Sequence, residues 1–157
     1  MPVVIDGTLG INTPSVNATS FTSLNLLNAR NIYETINATA SAATGNVFYS
    51  TLDQTVLYFT SNSTANFGVN ITGNSTVTLN TLLANGQTVS VAFFNSNGPT
   101  AYFANATFVD GSSVTPLWQG GAAPVNGNAN SVDLYTFTVV KTAPATFNVF
   151  ASQSRYA

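Results

Sequence analysis

The stretch Asn66-Phe67-Gly68-Val69-Asn70-Ile71-Thr72 decides the fold. Its apolar side chains fall at every second position, the spacing that sends alternate residues to opposite faces of a pleated strand. A helix would place them three and four apart. Val77 and Leu79 continue the alternation, and Val89, Val91 and Phe93 repeat it. The runs 55–60, 100–109, 132–140 and 145–151 are rich in Thr, Val, Phe and Tyr, which suit a half-buried pleated surface. Asn85-Gly86, Asn97-Gly98, Asp110-Gly111 and Asn126-Gly127 stand between them and supply the positive φ angles of tight hairpins. Seven or eight short strands in this rhythm predict an all-β fold. The expected form is one antiparallel β-sandwich, jelly-roll-like, over residues 46–157.

Two regions fall outside that rhythm. Residues 111–131, with Pro116, Gly120, Gly121, Pro124 and Gly127, read as a long loop around Trp118. A tryptophan is costly to leave wet, so Trp118 is expected to plug the core edge or a subunit interface rather than to display a ligand platform. Residues 1–45 read as an extended N-terminal arm or attachment segment. Within it, Phe21, Leu24, Leu27, Ile32 and Ile36 approach helical spacing, while Asn25, Asn28 and Asn31 oppose a helix. The segment 21–36 is divided between a short helix and a strand. Residues 37–45 read as a linker or a small-residue strand.

Charge is nearly absent. The chain holds three Lys or Arg, five Asp or Glu and no His, and charged residues are 5% of the total. Average domains carry about 25%. Polarity sits instead in Asn, Ser and Thr, which fill more than a third of the 157 positions. At 45% hydrophobic residues the chain can build a core, so disorder is not expected. Arg30, Lys141 and Arg155 are scattered, which predicts no nucleic-acid or anionic-membrane partner. No apolar run reaches the length of a membrane span, and the opening Met1-Pro2-Val3-Val4-Ile5-Asp6-Gly7 does not read as a signal peptide. Six Asn-x-Ser/Thr sites, at Asn17, Asn37, Asn62, Asn70, Asn74 and Asn105, are about what composition alone produces. With so little charge, free monomers repel one another weakly, and an assembly is the favoured state.

Chemistry is equally bounded. Without histidine or cysteine, Ser-His-Asp and Cys-His catalysis, His/Cys zinc sites and disulfides are excluded. Asp6, Glu34, Asp53, Asp110 and Asp133 are too dispersed in sequence to suggest a carboxylate pair. The segment Asn126-Gly127-Asn128-Ala129-Asn130-Ser131-Val132-Asp133 faintly resembles a calcium loop, but one carboxylate holds a hard cation poorly. Turn-forming asparagines are the better reading. The expectation is no catalytic residue, no metal and no cofactor: not an enzyme.

One segment carries a family likeness. Asp110-Gly-Ser-Ser-Val-Thr-Pro-Leu-Trp118-Gln-Gly-Gly-Ala-Ala-Pro124, followed by Gly127-Asn-Ala, Ser131-Val-Asp133-Leu-Tyr135-Thr, Lys141-Thr142 and Ala145-Thr-Phe147 up to Ala151-Ser-Gln153, resembles a domain of virion structural and tail-fibre-like proteins of cyanobacterial, chiefly contractile-tailed, phages. Val56-Leu57-Tyr58-Phe59-Thr60-Ser61-Asn62 and the opening Asp6-Gly-Thr-Leu-Gly-Ile11 fit it as well. The resemblance implies a small fibre, tail or capsid-decoration subunit on the exterior of the particle. It would be a homo-oligomer, trimeric or otherwise symmetric, contacting other capsid or tail proteins through its arm. The alternative is a carbohydrate-binding, host-adhesion module using exposed Trp118 or tyrosines against a surface glycan.

Overall fold

The computed structural model of the chain describes residues 31–157. The expected arm therefore lies outside the described residues as far as residue 30, and so does most of the segment divided between helix and strand. Residues 31–35 are irregular, and a strand starts at Ile36.

Ten strands and one short helix follow: β1 (Ile36–Ala42), β2 (Gly45–Ser50), β3 (Val56–Ser61), β4 (Phe67–Thr72), α1 (Leu79–Leu82), β5 (Thr88–Asn97), β6 (Ala104–Val109), β7 (Ser112–Val114), β8 (Leu117–Trp118), β9 (Ser131–Ala143) and β10 (Thr146–Tyr156). They form a six-stranded sheet, β1-β3-β5-β9-β10-β8, and a four-stranded sheet, β2-β4-β6-β7. The all-β expectation holds.

The antiparallel, jelly-roll-like pairing does not. Consecutive strands from β1 to β6 alternate between the two sheets, so each strand neighbours the next but one and runs parallel to it. The strand in the opposite sheet serves as the crossover that a parallel pair requires. Antiparallel ladders are confined to β5–β9, β9–β10 and β6–β7. Period-two patterning reports which face of a strand is buried and is silent on its direction.

The core lies between the sheets. Val47, Tyr49, Phe67, Val69, Ile71 and Val109 come from the smaller sheet; Leu57, Val91, Phe93, Tyr135, Phe137 and Val139 come from the larger. Phe93 joins the sheets, its ring centroid 5.5 Å from Phe67 and 6.0 Å from Tyr135. Offset and tilted aromatic pairs at such distances add to what area burial alone contributes.

Residues 77–79, expected as strand, lead instead into α1. Thr78 is its N-cap, accepting from the Thr81 N–H through its side chain. Residues 111–131 are not one loop either: they contain β7, β8 and a 3-10 turn at Gln119–Gly121 before an irregular stretch over 122–130.

Candidate functional site

The structure describes four of the five acids, and it uses two of them as internal fasteners at different places. Asp133, near the start of β9, is fully buried. Its Oδ2 accepts from the Asn128 N–H at 2.9 Å, Asn97 Nδ2 at 3.1 Å and Gln153 Nε2 at 3.1 Å, and its Oδ1 accepts from Asn128 Nδ2 at 2.7 Å. Four neutral donors thus surround one carboxylate. That pattern satisfies its lone pairs with no cation among the partners, as a buried acid demands.

The network reaches outward in three directions. Asn97 Nδ2 also donates to the Tyr102 carbonyl at 3.0 Å, while Asn97 Oδ1 accepts from the Tyr102 N–H at 3.1 Å, pinning the link between β5 and β6. Asn95 Nδ2 donates to Asn97 Oδ1 at 3.2 Å, and Ser63 Oγ donates to Asn95 Oδ1. Gln153 Nε2 donates to the Tyr135 hydroxyl at 3.0 Å, and that hydroxyl also accepts from the Ala104 N–H at 3.2 Å. Burial pushes the Tyr135 phenol well above its ordinary range, with the nearby Asp133 charge acting in the same direction. Gly127 closes the loop: a Cβ there would run into the Tyr102 carbonyl.

The segment weighed as a calcium loop is therefore a hydrogen-bonded clasp. Asn128 and Asp133 are brought together; Asn126 contributes only its carbonyl, accepting from Gln153 at 3.3 Å. Asn130 takes positive φ and donates its N–H to the Gly98 carbonyl at 2.9 Å. The sequence marks Asn97 only as a turn residue and gives no sign that Asn95, Asn97 or Gln153 joins Asp133. They lie 20 to 38 residues from Asp133, and no short motif links them.

Asp110 fastens a second place. It and Gly111 both take positive φ in the two-residue turn between β6 and β7, the geometry of a twist-matched hairpin. Its carboxylate accepts from the Leu79 N–H at 2.8 Å, the Asn80 N–H at 2.9 Å and Thr72 Oγ1 at 2.8 Å. The free donors at the start of α1 are thus satisfied from another hairpin. Lys141, buried on β9, closes the opposite end by donating to the carbonyls of Asn80 and Leu83. Asn80 Oδ1 accepts from the N–H of Ala145, the positive-φ residue of the β9–β10 turn.

Trp118 sits half-buried on β8 against the core, edge-on to Phe137 with centroids 6.2 Å apart. The plug reading fits this placement. On the outer face of the larger sheet, Tyr58, Phe94 and Tyr156 form an aromatic row, with centroid separations of 5.6 and 6.4 Å. Rows of hydroxyls adjoin it: Ser90 with Thr138 at 3.0 Å and Thr136 with Ser152 at 2.6 Å. Among the described residues, no three or more His, Cys, Asp or Glu lie together, and no helix is long and apolar enough to cross a membrane.

No family model, curated protein or solved structure matches the chain.

Proposed function

We propose that the chain is a non-enzymatic structural subunit of a phage particle: a small fibre, tail or capsid-decoration subunit, oligomeric and held on the exterior by its N-terminal arm. The observation that carries this reading is where the scarce charge goes. Asp110, Asp133 and Lys141 are bonded into the fold, and residues 54–109 carry none at all. Among the described residues only Glu34, Asp53 and Arg155 are exposed charges, so the polar surface is chiefly neutral hydroxyl and amide, suited to close packing against copies and neighbours. The likeness of residues 110–124 to phage virion proteins points the same way.

The test is localisation. Cryo-EM of intact particles should find the subunit at a fixed, symmetric copy number, and deleting residues 1–30 should abolish its incorporation. Particles that carry the truncated chain at normal copy number would remove the arm from the account. A second reading, glycan recognition, is favoured by the outer row Tyr58-Phe94-Tyr156 with hydroxyls beside it, since sugar rings stack on aromatic faces. A glycan array on purified protein separates the two: retention of a defined sugar that Tyr58→Ala abolishes would favour adhesion.

A further inference from the structure

We propose that the cleft between β7 and β8 binds one uncharged sugar ring, held through the Thr107 hydroxyl and the Trp118 indole. The cleft follows from how the two sheets end. In strand order β7 closes the smaller sheet and β8 the larger, and only Thr115 and Pro116 join them. The chain therefore crosses from one sheet to the other at this point, and Ala123 and Pro124, just beyond the 3-10 turn, line the space as well. Its volume is about 300 Å³. That is the small end of ligand sites, fit for one ring rather than a long chain. The site shares no residue with the outer row Tyr58-Phe94-Tyr156, and it stands whether or not the chain assembles into a particle.

Two polar groups in the cleft are left over by the fold. Thr107 stands on the face of β6 that also carries the core residue Val109, and it is only 4% exposed. Its side chain makes no hydrogen bond among the described residues. Nor does the Trp118 indole N–H, although that ring is half-buried against Phe137. Among the same residues no enclosed side-chain nitrogen or oxygen lacks a partner, so the Thr107 hydroxyl is open, and the cleft it lines is where it opens. Buried hydroxyls and indole N–H groups ordinarily find partners inside the protein. Asn105, Ser113 and Thr115 line the cleft beside them, and their side chains likewise have no partner among the described residues. Pro116, Ala123 and Pro124 belong to the apolar share of the lining, and no charged residue contributes. That mixture selects the ligand. An ion would lose its water and gain no counter-charge. A purely apolar molecule would leave the hydroxyl and the N–H unpaired. A sugar ring brings hydroxyls that both donate and accept, together with C–H faces that pack on indole and proline.

Trp118 is the one tryptophan of the chain, so its fluorescence reports on the cleft directly. The full chain is titrated with the methyl glycosides of glucose, galactose, mannose and N-acetylglucosamine, with glucuronate and cyclohexanol as controls. A saturable change in emission is expected for at least one glycoside and for neither control. Thr107→Val keeps the shape and removes the hydroxyl, and it should weaken that binding roughly tenfold, the worth of one hydrogen bond. Ser113→Ala, at an exposed position of β7, should weaken it too and serves if Thr107→Val melts early. Tyr58→Ala should leave it unchanged. The proposal is overturned by no saturable response to any of the four glycosides, by equal binding of cyclohexanol or glucuronate, or by unchanged affinity in both cleft variants. A response lost in Tyr58→Ala and kept in the cleft variants would also overturn it and move the sugar to the outer row.

Discussion

Lys141 Nζ donates to the main-chain carbonyl of Leu83 at 2.8 Å from a strand 58 residues further along the chain. A second bond, to the Asn80 carbonyl, means that one ammonium closes the end of a helix only four residues long. Such a helix cannot stand by its own propensity. It exists because Asp110 grips one end and Lys141 the other.

Replacing Lys141 with Met keeps the buried stem and removes the donor. Two carbonyls then lose their charged partner, and the fold should lose about 2 kcal/mol. Denaturant melts with an unchanged slope would confirm a local loss.

Asp110 has two tasks that substitution can separate. Asp110→Asn keeps a residue tolerant of positive φ but exchanges a carboxylate for an amide at the cap, which should cost about 1 kcal/mol. Asp110→Ala loses both and should cost roughly twice that. Equal losses for the two variants would show that the turn matters little.

Asp133→Ala leaves the amides of Asn97, Asn128 and Gln153 without their shared acceptor inside the fold. The expected cost is roughly 3 kcal/mol, against about 0.5 or less for the exposed Asp53→Ala. Chelators should leave the wild-type melting temperature unchanged. A melting temperature that rises with added calcium would instead turn the clasp into a metal site.

Alkaline pH should unfold the protein through its buried phenols. Burial is the main cause that pushes Tyr49 up to about 12, and Tyr135 moves in the same direction. A phenol raised above its unfolded value of about 10 favours the folded state while it stays protonated. Its stabilisation is whole below about pH 10 and is lost as pH climbs toward 12. Tyr49→Phe should melt lower at neutral pH, yet lose less on moving from pH 9 to pH 11. Parallel losses in both proteins would refute a role for Tyr49.

Alternation of apolar residues located most of the sheet. The run read at 66–72 is β4, the runs at 55–60 and 132–140 are β3 and β9 with slightly different ends, and the run at 145–151 covers only the first part of β10, which continues to Tyr156. Direction was not legible, because a strand buries the same face whichever way it runs. Of the four Gly turns, only Asp110-Gly111 joins two paired, consecutive strands; the β9–β10 turn uses Ala145, a residue with no turn signature. Val77 and Leu79 failed as strand because the deciding partner, Asp110, lies 31 residues from Leu79. The Asn126-to-Asp133 segment was legible as turn asparagines, and its clasp to Asn97 and Gln153 was not, since those contacts exist only once β5, β9 and β10 lie side by side.

The sheet order also dictates when the molecule can finish folding. β5 lies between β3 and β9, and its long antiparallel ladder is the one to β9, where Thr88 faces Val140 and Phe93 faces Tyr135. During synthesis, β1 to β6 emerge with their apolar faces complete and the strand that closes them still inside the ribosome. The β9–β10 hairpin, by contrast, pairs close neighbours along its whole length and can form as soon as it is made. The larger sheet is therefore complete only once β9 and β10 have joined the strands made before them. A nascent chain stalled before residue 131 should remain open to protease, and emergence of residues 131–157 should convert it to a resistant form in one step.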